Sequence, residues 1–152
     1  MSSIDLSLYT PVTPLLTPSM STYFSWQYDQ QRCFDGDLTS FCATEERAQG
    51  ENWVSVRVPQ HTRIGPVALY NRRDYAVLQP WFGTVDVYVG NSVGDANPNA
   101  ARLCGSATYN AASEPNPYVI ECNGARNGEW VTAVQRICPS TCILALQEME
   151  VY

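Results

Sequence analysis

Alternation of apolar and polar positions, the pattern of a half-buried antiparallel strand, recurs from residue 53 onward. Residues 53–58 alternate cleanly, and residues 83–90 alternate β-branched or aromatic side chains with polar ones. Further strand-like runs lie at 67–70, 118–122, 130–134 and 142–152. No segment sustains a 3.6-residue apolar period, so we expect little helix.

Turn-forming residues separate these short runs, and such a chain typically folds as a β-sandwich or jelly roll. We therefore predict an all-β, single-domain β-sandwich jelly roll over residues 23–152. Residues 1–22 hold prolines at 11, 14 and 18 and predict an extended arm. This arm lies either as an edge strand on its own domain or on a neighbouring molecule.

The formal net charge is −6, and arginine is the only cationic residue apart from one histidine, because the chain has no lysine. A negative field repels nucleic acid and anionic lipid, so we expect neither as a partner. No apolar stretch approaches the roughly 18–20 residues that span a bilayer, so we expect no membrane insertion. Residues 1–20 lack a basic residue and a continuous apolar core, and we expect no secretory signal.

Six cysteines in a small β-rich chain indicate three disulfides and an extracellular, surface or other oxidising compartment. Zinc is the rival interpretation, but only Cys138 and Cys142 have finger-like spacing, and His61 is the one histidine. Cys104 and Cys122 flank one loop and are the best local pair. The other two bridges join the remaining cysteines in an order that stays open: Cys33, Cys42, Cys138 and Cys142.

A polar cluster follows the strand-like run 67–70, where Arg72, Arg73 and Asp74 lie in succession. Loops held by a sandwich commonly carry recognition groups, so we expect this cluster to face solvent and bind a ligand. Catalysis is not indicated, because the chain has no Gly-x-Ser-x-Gly elbow and no phosphate-cradling glycine loop.

Several short motifs occur in a fixed order between residues 33 and 152. They are Phe-Asp-Gly-Asp at 34–37, Cys-Ala-Thr at 42–44, Trp-Val-Ser-Val at 53–56, Tyr-Asn-Arg-x-Asp at 70–74, Val-Asp-Val-Tyr-Val-Gly at 85–90, the pair Cys104 and Cys122, Gly-Glu-Trp-Val at 128–131, and the run 144–152. In this order the chain resembles the F-type lectin (fucolectin) family, within the galactose-binding-like, discoidin (F5/8 type C) jelly rolls.

The resemblance implies a sugar site. In the family a histidine, an Arg-x-Asp pair and a further basic residue contact fucose; Arg72 and Asp74 match the pair. The histidine position falls on Thr44 or Glu45 and the last basic position on Gln79, so two donors differ. Two lost partners weaken fucose binding by a factor on the order of 10²–10⁴. The candidate ligand-binding residues are therefore Thr44, Glu45, Arg72, Arg73, Asp74, Gln79 and Trp81.

The resemblance also implies a structural Ca²⁺ near the Asp-Gly loop. Asp35, the carbonyl of Asp37 and Glu148 fit the family's ligands, and Ca²⁺ favours such oxygen atoms. Backbone oxygens complete the implied set, with Arg32 and Phe41 as the candidates. The alternative is that the Asp35 side chain only caps a turn.

Two functions remain in view. One is non-enzymatic recognition of a glycan or glycoprotein, which the Arg-x-Asp loop favours. The other is a structural subunit of a larger assembly, such as a surface complex or virion, which contacts protein partners through the N-terminal arm. The two missing basic donors favour this second hypothesis.

Overall fold

The computed structural model of the protein describes residues 4–126 and 128–152, and these residues hold nine strands. The strands are β1 (Leu16–Met20), β2 (Cys42–Ala43), β3 (Trp53–Arg57), β4 (Ile64–Asn71), β5 (Thr84–Gly90), β6 (Arg102–Thr108), β7 (Tyr118–Ala125), β8 (Trp130–Ile137) and β9 (Ala145–Val151). Helical structure in this part of the chain consists of short 3₁₀ segments at Leu6–Leu8, Trp26–Tyr28, Gln30–Cys33 and Ala76–Phe82.

The strands form two antiparallel sheets that pack face to face. One sheet has the order β1-β3-β8-β5-β6, and the other has the order β2-β9-β4-β7. The predicted all-β sandwich is therefore confirmed, as is the scarcity of helix. Strands β2 and β6 were not predicted, and β1 was foreseen only as one placement of the arm.

The core consists of the inward side chains of both sheets. Its largest fully buried members are Phe82, Ile64, Leu69, Leu144, Leu146 and Met149. Phe82 stacks on Tyr118 with 4.5 Å between ring centroids. Each such side chain contributes roughly 1.5–3 kcal/mol by leaving water, so this layer fixes the sandwich that carries the loops.

Strand β5 differs from its expected half-buried form, because all seven of its residues are buried. It lies between β8 and β6, and its outer polar positions have partners. The Asp86 carboxylate accepts hydrogen bonds from Arg136 (2.8 Å) and Ser106 (2.5 Å). Tyr88 packs with Ala101, so the loop after the strand covers the outer face.

The N-terminal segment lies on its own domain, which is the first of the two placements considered. Strand β1 pairs with β3 as an edge strand. Upstream, the Val12 N–H donates to the Val151 carbonyl in the other sheet (2.8 Å). Val12, Leu15 and Met20 pack against the core. A domain boundary at residue 22 and contacts of the arm with other proteins stay predictions.

Three disulfides are formed, so the disulfide interpretation of the cysteines is confirmed. Cys104–Cys122 is the predicted pair and joins β6 to β7 across the two sheets. The open order resolves as Cys33–Cys42 and Cys138–Cys142. Bridges of this kind suit an extracellular or otherwise oxidising compartment. No helix in the described part of the chain has the length and apolarity needed to cross a membrane.

Candidate functional site

Asn71, the last residue of β4, fixes the loop that follows this strand. It is buried, and its amide donates to the Gln79 carbonyl (3.0 Å) and to the Glu114 carboxylate (2.8 Å). Its side-chain Oδ1 accepts from the Arg72 backbone N–H (2.9 Å). The Asn71 side chain thereby holds both ends of the loop over residues 72–79.

Arg72 and Asp74 pair within this loop. The Arg72 Nε donates to Asp74 Oδ1 (2.7 Å), and its Nη2 donates to Oδ2 (2.5 Å). These hydrogen bonds hold the pKa of the Asp74 carboxyl below its ordinary value of 3.8. A guanidinium has five N–H donors, so three remain beyond the two that Asp74 accepts.

The expectation that the whole cluster faces solvent is wrong for Arg72. Only 8% of this residue is exposed, whereas Arg73 is exposed and the Asp74 side chain keeps 33%. Arg72 is covered because its guanidinium lies over the Phe41 ring, 4.5 Å from the centroid. Tyr28 stacks on the same ring at 4.9 Å, with the planes 16° apart.

This stack forms part of the wall of a cavity of about 240 Å³. The wall combines four aromatic rings, three aliphatic side chains and one guanidinium: Phe24, Tyr28, Phe41, Trp81, Ala43, Leu78, Ile143 and Arg72. Phe24 is 61% exposed and stands at its solvent edge. A larger hollow of about 710 Å³ lies between residues 4–7 and Pro115, Pro117 and Val119, but no aromatic or cationic side chain lines it. We take the smaller cavity as the candidate site.

Three other predicted ligand residues, Thr44, Glu45 and Gln79, do not line this cavity. Thr44 is fully buried, and its hydroxyl accepts from the Leu144 N–H (3.0 Å), so its assignment to a ligand is corrected to a structural role. The Glu45 carboxylate pairs with Arg47 (2.9 Å) and does not line the cavity. Gln79 offers its carbonyl to Asn71.

Trp81, a predicted ligand residue, lines the cavity. Phe24 and Tyr28 line it as well and are functional candidates that the sequence analysis did not identify. The signal that could have found them is the uncharged aromatic run Tyr-Phe-Ser-Trp-Gln-Tyr at 23–28. The sequence predicts only the Phe41 carbonyl as a ligand, whereas the structure places this residue in the cavity wall with its ring against Arg72 and Tyr28.

A second polar cluster lies in the loop between Cys33 and Cys42. The Asp35 carboxylate accepts from the Asp37 N–H (2.9 Å) and from the Ser40 hydroxyl (3.0 Å), so the turn-capping interpretation holds for one of its oxygens. The same hydroxyl also contacts the Asp37 carbonyl (3.3 Å). The Asp37 carboxylate is occupied by Thr39 (2.6 and 2.8 Å), which lowers its pKa.

Glu148 faces this loop from β9. Its Oε2 accepts from the Gly36 N–H (3.0 Å), while its Oε1 is buried without a partner among the described residues. Burial is the main cause that raises the Glu148 pKa to about 8, and the nearby Asp35 raises it further. No group of three acidic, histidine or cysteine side chains gathers in the described ranges, so a cation here would rely on main-chain and hydroxyl oxygens as well.

Comparisons with known proteins define the fold. No family model matches the chain, and no curated protein sequence matches it. Among solved structures, a chitosan-binding module from a Paenibacillus chitosanase/glucanase is 20% identical, with a TM-score of 0.70 over 95% of this chain and 99% of that one. The fold is the galactose-binding-like jelly roll.

Two further jelly rolls agree with this result. A Streptococcus pneumoniae fucose binding module is 17% identical, with a TM-score of 0.69 over 94% of both chains. A fucolectin from striped bass (Morone saxatilis) serum is 22% identical, with a TM-score of 0.70 over 93% of this chain and 48% of that one. The fold implied by the lectin resemblance is thus confirmed.

Proposed function

We propose that the protein is a non-enzymatic carbohydrate-recognition module whose sugar site is the aromatic cavity beside Arg72. The observation that carries this proposal is the placement of one guanidinium, fixed by Asp74, among four aromatic rings. Sugar rings present apolar C–H faces together with hydroxyl groups. A cavity that combines flat rings with a few fixed polar groups suits both features.

Each part of the cavity has a role in this proposal. Trp81, Phe24 and Tyr28 offer faces to the C–H surface of a sugar, and the remaining Arg72 N–H groups donate to its hydroxyls. Asp74 keeps the guanidinium in one orientation, and Phe41 supports it from below. Since the positions that correspond to the family's other donors hold Thr44 or Glu45 and Gln79, the specificity differs from that of an ordinary fucose site.

We further propose that a structural Ca²⁺ binds between Asp35 and Glu148. The Glu148 Oε1 is buried without a partner among the described residues, and the nearby Asp35 contributes to the raised Glu148 pKa. The two carboxyl groups therefore repel each other when both are ionised, and a cation between them would relieve this repulsion. The Ser40 hydroxyl and the Asp37 carbonyl add oxygen atoms of the kind that Ca²⁺ prefers. A bound ion would supply positive charge and would fix the loop between Cys33 and Cys42 to β9. The backbone oxygens of Arg32 and Phe41 stay predicted ligands of this ion.

The carbohydrate proposal is tested on an array of immobilised glycans in calcium-containing buffer. We expect selective binding that falls about 10-fold to 150-fold in Arg72→Lys, since a lysine keeps the charge but loses the bidentate geometry. Arg57→Lys is the matched control, because Arg57 is an exposed arginine that pairs with Glu129 (3.5 Å) away from the cavity. A blank array with the folded wild-type protein, or equal binding by both variants, would refute the proposal.

The structural similarities support this choice over the assembly hypothesis. The jelly rolls compared above are a chitosan-binding module, a fucose binding module and a fucolectin. The three disulfides agree with encounter of a glycan or glycoprotein in an oxidising compartment. A role of the N-terminal arm in an assembly stays a prediction.

A further inference from the structure

Two uncharged segments flank the cavity and leave large side chains in water. Residues 23–28 read Tyr-Phe-Ser-Trp-Gln-Tyr and residues 75–82 read Tyr-Ala-Val-Leu-Gln-Pro-Trp-Phe, in a chain that is 16% charged. Trp26 is 72% exposed, Tyr75 is 64% exposed and Val77 is 78% exposed. We call Trp26 and Tyr75 the aromatic collar.

The aromatic collar lies close along the chain to residues that line the cavity. Phe24 and Tyr28, each two residues from Trp26 in the chain, both line the cavity. On the opposite flank, Leu78 lines it, and the Leu78 N–H donates to the Tyr75 carbonyl (3.1 Å). A ligand that extends beyond the cavity on either flank would therefore pass a segment that carries a collar residue.

Main-chain hydrogen bonds hold both flanks to the sandwich. On the first, the Phe24 N–H donates to the Ala43 carbonyl of β2 (2.7 Å). On the second, the Trp81 carbonyl accepts from the buried Gln135 of β8 (2.6 Å), and the Gln79 carbonyl accepts from Asn71 of β4 (3.0 Å). The backbone that carries the collar is thus fixed before binding, which lowers the entropy cost of ordering it around a ligand.

The cavity alone is small. Sites that enclose a drug-sized ligand occupy roughly 300–1,000 Å³, whereas this cavity measures about 240 Å³. It has room for one sugar ring, and a single ring would leave the collar in water. Exposed apolar groups that adjoin a binding cavity commonly mark an extension of the site.

We propose that the aromatic collar is a second carbohydrate subsite and that the ligand is a neutral oligosaccharide of more than one ring. This inference rests on the function proposed above. Trp26 and Tyr75 provide flat faces for the rings that follow the first, with an indole N–H and a phenol hydroxyl for their hydroxyl groups. The ligand is neutral because neither segment offers a charge to pair with it and the protein carries net −6.

The test compares the affinity for sugars of increasing length. Wild-type protein and variants are titrated by calorimetry with fucose and with galactose, and then with glycans in which the same terminal sugar carries one or two further neutral rings. We expect the second ring to tighten binding to the wild type about threefold to tenfold, and Trp26→Ala to abolish this gain while keeping the affinity for the single sugar. Trp26→Phe, which keeps a flat face, should restore part of the gain.

Tyr9→Ala is the matched control, because Tyr9 is 41% exposed and lies near Gly65, at the other end of β4 from Arg72. Single sugars that bind without any gain from a second ring would overturn the subsite and leave the proposed function intact. Equal gains in the wild type and Trp26→Ala would do the same. A wild type that self-associates in sedimentation, with monomers in Trp26→Ala, would assign the collar to a second copy of this chain. Absence of binding to every sugar would refute the proposed function as well.

Discussion

The Arg72 guanidinium lies over the Phe41 ring at 4.5 Å from its centroid, although 30 residues separate the two in sequence. Phe41 belongs to the loop between Cys33 and Cys42, and Arg72 belongs to the loop after β4. The contact therefore joins these two loops at the candidate sugar site, and Tyr28 stacks on the same ring.

Replacing Phe41 should loosen Arg72. A cation–π contact contributes roughly 0.5–2 kcal/mol, so we expect Phe41→Leu to weaken glycan binding about twofold to 30-fold while the core stays folded. Calorimetry with the best glycan from the array measures the effect, and circular dichroism checks the fold. Leu38→Ala, an exposed position in the same loop, serves as the control. Unchanged affinity in Phe41→Leu would show that Arg72 needs no support from the ring.

Acid should disrupt the Arg72–Asp74 pair. Because hydrogen bonds from Arg72 lower the Asp74 pKa below 3.8, the stability from this pair is present above pH 3.8 and is lost as the pH falls through the lower folded-state pKa. We expect glycan affinity that holds from neutral pH down to about pH 4 and declines below it. In Asp74→Asn this acid-dependent step should disappear. Calorimetry across this pH range measures the glycan affinity of both proteins. An equal decline in affinity in both would place the titrating group elsewhere.

Calcium should stabilise the fold through Glu148. At a free concentration 100 times the dissociation constant, an ion that binds only the folded state adds about 2.7 kcal/mol, which raises the Tm by roughly 5–10 °C. Differential scanning calorimetry with CaCl₂ and with chelator measures the shift. Glu148→Gln should abolish it, and Glu46→Gln, an exposed carboxylate on another loop, should keep it. A Tm that is indifferent to calcium in the wild type would leave the turn-capping role of Asp35 as the sole one.

Asn71 should be important for the loop that it holds. Asn71→Ala leaves the Gln79 carbonyl and one Glu114 oxygen without their donor, and a buried polar group without a partner costs about 1–3 kcal/mol. We expect the free energy of unfolding in urea to fall by that amount. Asn99→Ala, in an exposed loop, should change it by less than about 0.5 kcal/mol. A loss of the same size in both variants would mean that the Asn71 contacts add no net stability.

Local pattern was sufficient for the central strands. Residues 53–58 and 130–134 alternate clearly, and the structure places strands β3 and β8 there as direct neighbours. Strand β6 lacked such a signal, because the stretch Arg-Leu-Cys-Gly-Ser-Ala-Thr holds one β-branched residue and lies largely exposed at a sheet edge. It forms because β5 offers an open edge and because Cys104 ties it to β7, and both causes lie outside its own sequence.

Only part of the candidate site could be predicted from the sequence. Arg72 and Asp74 are two positions apart in the chain, so their pairing was accessible to local reasoning. Arg72 is covered by the Phe41 ring, and the buried Thr44 hydroxyl accepts a hydrogen bond from the Leu144 N–H. Both contacts are made between distant segments, which a periodicity argument cannot place together.

The N-terminal segment links the two layers of the sandwich, since Val12 bonds to Val151 in one sheet and β1 pairs with β3 in the other. A truncated protein that starts at residue 23 would uncover the polar backbone groups along one edge of β3, which could then pair with another chain. The truncation would also remove the contacts that Leu15 and Met20 make with the hydrophobic core. Residues 12–20 thus hold the two layers together, and a recombinant version that starts at residue 23 should precipitate more readily than the protein with this segment.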